Sequence, residues 1–123
     1  MSNIIYKELS DRIIGCAITV HKTIGSGLLE NVYERSLCVE LGLNNIPFIS
    51  QKSYSVYYKG CLVGKYVADI VIDNKIIVEL KTVPCINNNM IAQLINYLHI
   101  SNIRVGYVIN FRNAVIEFKR FIV

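Results

Sequence analysis

Apolar residues recur at helical spacing in the first stretch of the chain. Ile5, Leu9, Ile13, Cys16, Ala17 and Val20 form one stripe over residues 4–22, which predicts a helix with a single buried face. Gly25-Ser26-Gly27 breaks the pattern. Ser26 is placed to cap a second helix from about Leu28 to Leu41, closed by Gly42. Asn44-Asn45 and Pro47 mark a loop. The period then changes. Tyr54–Tyr58 is rich in aromatic and β-branched residues, a strand signal, and Lys59-Gly60 makes a turn. Residues 62–72 and 76–82 read as two further strands around Asp73-Asn74-Lys75, and Pro84 ends the strand run. Asn87-Asn88-Asn89 can cap a third helix, about Asn89–Ile100, with Ile91, Leu94, Ile95 and Leu98 toward the core. Arg104–Ile109 and Val115–Ile122 read as strands. No internal repeat, low-complexity segment or linker interrupts residues 1–123. The order α-α-β-β-β-α-β-β predicts one α/β (α+β) domain.

Three ionisable residues interrupt the two central strands. The segment from Tyr66 to Ile72 is apolar except for Asp69, and that from Ile76 to Lys81 is apolar except for Glu79 and Lys81. Side chains alternate faces along a strand, so Glu79 and Lys81 share one. A three-residue loop, Asp73 to Lys75, pairs Ile72 with Ile76 and hence Asp69 with Glu79. It also sets Ile70 against Val78 and Ala68 against Leu80, keeping the other face wholly apolar. A two-residue loop would mix the faces, which a sheet with one buried face disfavours. Two carboxylates opposite one another repel unless something compensates. A hard cation such as magnesium does so, preferring oxygen ligands and keeping several waters. Such an ion can activate a water for attack on phosphorus, and Lys81 can add fixed positive charge where negative charge develops. A Glu–Lys or Asp–Lys pair at a sheet surface is also an ordinary structural feature, contributing about 0–1 kcal/mol when exposed.

Other residues can join such a site. Glu30 lies near the start of the second helix, and Glu30, Tyr33, Glu34 and Leu37 share one helical face. Glu30 suits either a helix N-terminus or a further metal or water ligand. Gln93 and Tyr97 are an i, i+4 pair on the third helix, opposite the Ile91–Leu98 stripe. The glutamine can bond a water or phosphate, and Tyr97, like Tyr33, is a candidate contact for a nucleic-acid backbone. On spacing alone, the Gln93–Tyr97 pair reads as an ordinary half-buried polar face. His21 and His99 read as caps or packed side chains.

Composition narrows the picture further. With 53% hydrophobic and 18% charged residues, disorder is excluded, and so much apolar surface in 123 residues points to a homodimer. The C-terminal strand Val115–Ile122 offers an edge for pairing. No run of about 18 apolar residues suggests a membrane span. Met1–Arg12 lacks the form of a signal peptide, so the chain is expected in the cytoplasm. Cys16, Cys38, Cys61 and Cys85 have no CxxC pair, which makes zinc improbable. Each lies among apolar neighbours and reads as a reduced, buried thiol. A net charge of +4 suits an anionic partner such as nucleic acid.

The run Gly27-Leu28-Leu29-Glu30-Asn31-Val32-Tyr33 carries the pattern GxxExxY. The chain resembles the family named for it, within the PD-(D/E)XK nuclease superfamily, from Val20-His21 to Lys119-Arg120. Asp69, Glu79-Leu80-Lys81 and Gln93-Leu94-Ile95-Asn96-Tyr97 follow in the family's order. The last resembles the QxxxY motif of RecB-type and λ-exonuclease-like enzymes. One departure is Ala68, where the superfamily's name places proline. The resemblance implies a restriction-endonuclease-like core, a central mixed sheet flanked by helices. It implies Mg2+ or Mn2+ held by Asp69, Glu79 and the Leu80 carbonyl, with Glu30 as an added ligand. Lys81 would assist water activation and Gln93 would support the site. The expected activity is hydrolysis of phosphodiester bonds in DNA, with RNA as the second choice of substrate. The alternative is a non-catalytic nucleic-acid-binding or regulatory subunit that keeps the fold.

Overall fold

The computed structural model describes residues 4–123; residues 1–3, where the N-terminal reading begins, lie outside the described residues. Eight elements follow the expected order. They are α1 (Lys7–Ile24), α2 (Glu30–Leu43), β1 (Phe48–Tyr58), β2 (Cys61–Ile72), β3 (Ile76–Lys81), α3 (Asn88–Ser101), β4 (Val105–Asn110) and β5 (Glu117–Ile122). The strands lie side by side in chain order, and only β3 and β4 run parallel, across the α3 crossover.

Both sheet faces are covered. Ile13, Ala17, Leu37 and Leu41 of α1 and α2 pack with Ile70, Ile72, Ile76, Val78 and Leu80 on one face. Leu94 and Leu98 of α3 pack with Val71, Ile77 and Val108 on the other. Two covered faces explain why β3 and β4 are buried at every position but Lys81. Gly106 sets the depth of α3. A Cβ there would lie 3.0 Å from a Leu94 methyl carbon and 3.1 Å from one of Leu98. Gly106→Val should therefore cost about 1–3 kcal/mol by overpacking, read as a lower midpoint in urea.

Helix ends depart from the sequence reading. Ser26 caps nothing, since α2 starts at Glu30 after Leu29, with no side-chain cap. Tyr33 fastens this entry instead. Its hydroxyl donates to the Gly25 carbonyl at 2.6 Å and accepts from the Leu28 N–H at 3.2 Å. Its ring is wholly buried and stacks on Phe111, with centroids 4.7 Å apart. Tyr33 is thus a core anchor with no surface for nucleic acid, which corrects that expectation. Tyr33→Phe should lower stability by about 1–2 kcal/mol through the lost hydroxyl bonds. Gly42 lies inside α2, which runs on to Leu43. Asn87 does cap α3, accepting from the Met90 N–H.

The cysteines also depart from expectation. All four are free thiols, but only Cys16 is buried. Cys38 is intermediate, and Cys61 and Cys85 are exposed. Cys61 begins β2 just after the Lys59-Gly60 turn, where an apolar run meets solvent because the β1–β2 hairpin extends past its neighbours. His21 packs at the end of α1, with its Nε2 2.8 Å from the Asn113 carbonyl, while His99 is exposed. Among the described residues, no helix is long and apolar enough to cross a membrane.

Candidate functional site

The hairpin between β2 and β3 has the expected register. Asp73 and Asn74 take positive φ, and the Lys75 N–H bonds the Ile72 carbonyl. Ile72 pairs with Ile76, Val71 with Ile77 and Ile70 with Val78. There the ladder ends, one pair short of Asp69 and Glu79. The cause lies in a flip of faces along β1 and β2. Up to Ser50 and Ile70, even-numbered residues such as Phe48, Ile70 and Ile72 face α1 and α2. Beyond it, Tyr54, Tyr66 and Ala68 face α3. Gln51 sits at the flip with φ 55, a left-handed residue on the register level of Asp69.

This flip corrects the expected apolar face. Ala68 joins Tyr66, Val71 and Ile77 on the α3 side, while Leu80 belongs to the opposite core. Asp69 sits at the seam where the strands part. Its Oδ2 accepts the Leu80 N–H at 2.9 Å, replacing the ladder bond that β2 no longer supplies. The Leu80 carbonyl leaves the same edge of β3, since a strand residue's N–H and C=O point the same way. Lys81 confirms the alternation, its carbonyl accepting from the Phe111 N–H beyond β4.

Glu79 lies beside this seam, buried to 8% exposure. Tyr66 donates its hydroxyl to Glu79 Oε1. Burial first, then the charge of Asp69 and a hydrogen bond to it, push the Glu79 carboxyl up to about 8. The Tyr66 bond and Lys81 oppose this. Burial and the Glu79 charge push the Tyr66 phenol well up. The Tyr97 ring stacks on Tyr66, with centroids 3.5 Å apart. Lys81 is half-buried and its charge acts on both Glu79 and Glu30. Glu30 stands at the start of α2 on the rim. Partial burial and Asp69 raise its carboxyl, against Lys81. Its neighbour Glu34 is tied to Gln51 at 2.9 Å, bracing the kink opposite Asp69.

Asp69, Glu79, the Leu80 backbone, Lys81 and Glu30 are thus brought to one end of the sheet, with Tyr97 beside them. Gln93 is not. It is exposed on α3, with no hydrogen bond to the group among the described residues. Tyr66 escapes a sequence reading because a tyrosine in a strand reads as one more β-former.

The donor chemistry fits a hard divalent cation. The converging groups are all oxygen: the Asp69 and Glu79 carboxylates and the Leu80 carbonyl. Among the described residues, no three Asp, Glu, His or Cys side chains lie close enough to hold an ion by themselves. The backbone carbonyl and water would have to complete a shell, as is usual for magnesium. The Glu79 carboxyl is raised by burial first and by the Asp69 charge second, and a cation would relieve both.

The crystal structure of SSO0001 is similar, with a TM-score of 0.59 at 18% sequence identity, over 95% of this chain and 59% of that one. The likeness is one of fold, and this chain spans about three-fifths of that structure's length. No curated protein matches in sequence. A family model of the PD-(D/E)XK nuclease superfamily matches residues 7–121. Nucleases of that superfamily act on nucleic acid and generally use divalent metal ions. The mixed five-stranded sheet with helices on both faces agrees with its restriction-endonuclease-like fold. On a match that takes in every element from α1 to β5, the chain belongs to the PD-(D/E)XK nuclease superfamily.

Proposed function

We propose that this chain is a metal-dependent phosphodiester hydrolase acting on DNA, with RNA as the second choice of substrate. The observation that carries the reading is the meeting of Asp69 and Glu79 where β2 and β3 part, with the Leu80 backbone between them. Asp69, Glu79 and the Leu80 carbonyl would hold Mg2+ or Mn2+, with Glu30 near enough to the charges of Asp69 and Lys81 to add a ligand. A divalent ion there supplies positive charge to phosphate oxygens and makes bound water more acidic. Lys81 would place its ammonium where charge grows on the phosphate. Tyr66 would orient Glu79 through its hydroxyl. Tyr97 would contact substrate at the rim, and Gln93 would do so only by turning in from solvent. Within the superfamily, the Gly27–Tyr33 pattern supports membership of the GxxExxY family.

A non-catalytic nucleic-acid-binding subunit is the second reading, favoured by the exposed position of Gln93. Incubating the protein with labelled DNA and RNA, with magnesium, manganese or chelator, separates the two. Metal-dependent cleavage that Asp69→Ala abolishes supports the hydrolase. Binding without cleavage of any nucleic acid supports the second reading. A homodimer through the open edge of β5 belongs to the same proposal, and a monomer by light scattering would contradict it.

A further inference from the structure

The β1–β2 hairpin outruns the sheet. β2 touches β3 only from Ile70 to Ile72, yet its pairing with β1 continues to Tyr58 and Cys61. From Gln51 to Tyr58 the arm projects about 25 Å. Its composition is one-sided. Residues 51–68 include Lys52, Lys59 and Lys65 and no Asp or Glu, so the arm carries +3 of the chain's net +4. Tyr57 and Tyr58 near its tip are 64% and 62% exposed. Lysine charges already lie over tyrosine rings, Lys59 at 5.3 Å from the Tyr58 centroid and Lys52 at 5.2 Å from that of Tyr54.

The base of the arm leads into the site. Tyr54 stacks on Tyr66 with centroids 6.0 Å apart, and Tyr66 donates to Glu79. On one face of the arm, Tyr58 near the tip is followed by Lys52 and Tyr54 and then by the buried Tyr66 beside the carboxylates, while Tyr57 and Lys65 take the other face. Exposed aromatic faces interleaved with fixed cations suit a strand whose bases are unpaired, since a duplex hides its base faces. A second copy of the arm is a poor occupant. A two-fold contact would set the same three lysines against themselves.

We propose that this hairpin is a single-stranded nucleic-acid-binding arm that delivers unpaired substrate to the Asp69–Glu79 site. Its role in delivery rests on the hydrolase reading; its binding does not. The lysines hold the phosphates, Tyr58 stacks on a base on the face that leads to the site, and Tyr57 offers its ring to a base on the other.

The test is fluorescence anisotropy with the full chain in chelator. The probe is a labelled oligothymidylate of about a dozen nucleotides. Oligouridylate and a duplex of equal length form the other arms. Wild type should bind the oligothymidylate at least fivefold more tightly than the duplex, with oligouridylate telling DNA from RNA. Tyr57→Ser/Tyr58→Ser should weaken binding at least fivefold with the salt slope unchanged. Lys52→Gln/Lys59→Gln/Lys65→Gln should weaken it at least tenfold and flatten the slope of log affinity against log salt by about 2. Both variants change exposed or partly exposed side chains, and unchanged melting would certify their folding. Failure of wild type to prefer the single strand, or unchanged affinity in both arm variants, overturns the inference. So does loss of a dimer in sedimentation without loss of affinity, which would make the arm a self-association surface. If binding follows these expectations but no metal supports cleavage, the hydrolase reading fails while the arm stands as a binding element.

Discussion

Replacing Glu79 with glutamine should make the metal-free protein more stable at alkaline pH and flatten its dependence of stability on pH. Glu79 is held among Tyr66, Asp69 and the apolar end of β3, and its carboxyl is raised to about 8. In the unfolded chain it titrates near 4.5. Between those values the folded protein holds a proton that the unfolded chain has released. Stability is therefore full below about pH 4.5 and falls as pH rises toward 8. Above 8, the folded state carries a buried, crowded carboxylate. Glutamine reproduces the protonated form, its carbonyl accepting from Tyr66 and its amide donating to Asp69. The variant should match wild type near pH 4 and exceed it near pH 9 by on the order of 3 kcal/mol, about 10 °C in melting temperature. Thermal unfolding in chelator across that range checks this. Equal slopes for the two proteins would mean that Glu79 titrates in the fold as it does in the unfolded chain.

Lys81→Ala should reduce cleavage by at least about a hundredfold while leaving the metal-induced rise in melting temperature in place. Loss of one fixed group that stabilises charge in the transition state commonly has an effect of this size. Lys81 shares the Glu79 face of β3 and its charge reaches both Glu79 and Glu30. It makes no salt bridge with either among the described residues, so its ammonium is available to a phosphate. Equal loss of metal stabilisation would instead make Lys81 a structural support for the carboxylates. Full cleavage by the variant would remove Lys81 from the chemistry.

Much of this arrangement was legible in the chain. The element order follows from period and turn residues, because each helix carries a stripe and each central strand an apolar run. The Asp73–Lys75 loop yields the β2–β3 register, since the alternative loop would mix faces. What stayed hidden depends on long-range geometry. The face flip at Gln51 needs the backbone, because glutamine gives no warning of φ 55. Without it, Asp69 reads as a ladder partner of Glu79 and Ala68 as a partner of Leu80. In the fold, Asp69 reaches the β3 backbone and Ala68 turns to α3. Tyr33 lies in a recognisable motif, yet its burial against Phe111 depends on residues far along the chain. Tyr66 gains its part only because α3 brings Tyr97 over it and β3 brings Glu79 beside it.

Asp69 and Glu79 together would form the seat of a divalent cation. Thermal unfolding near pH 8, with millimolar magnesium or with chelator, compares wild type and Asp69→Ala most directly. A ligand that binds only the folded state raises its melting temperature by mass action. Magnesium at about a hundred times its dissociation constant would add about 2.7 kcal/mol, or some 10 °C here. Such a rise is expected for wild type and none for Asp69→Ala. No rise in wild type with either magnesium or manganese, or an equal rise in Asp69→Ala, would contradict a shared cation seat.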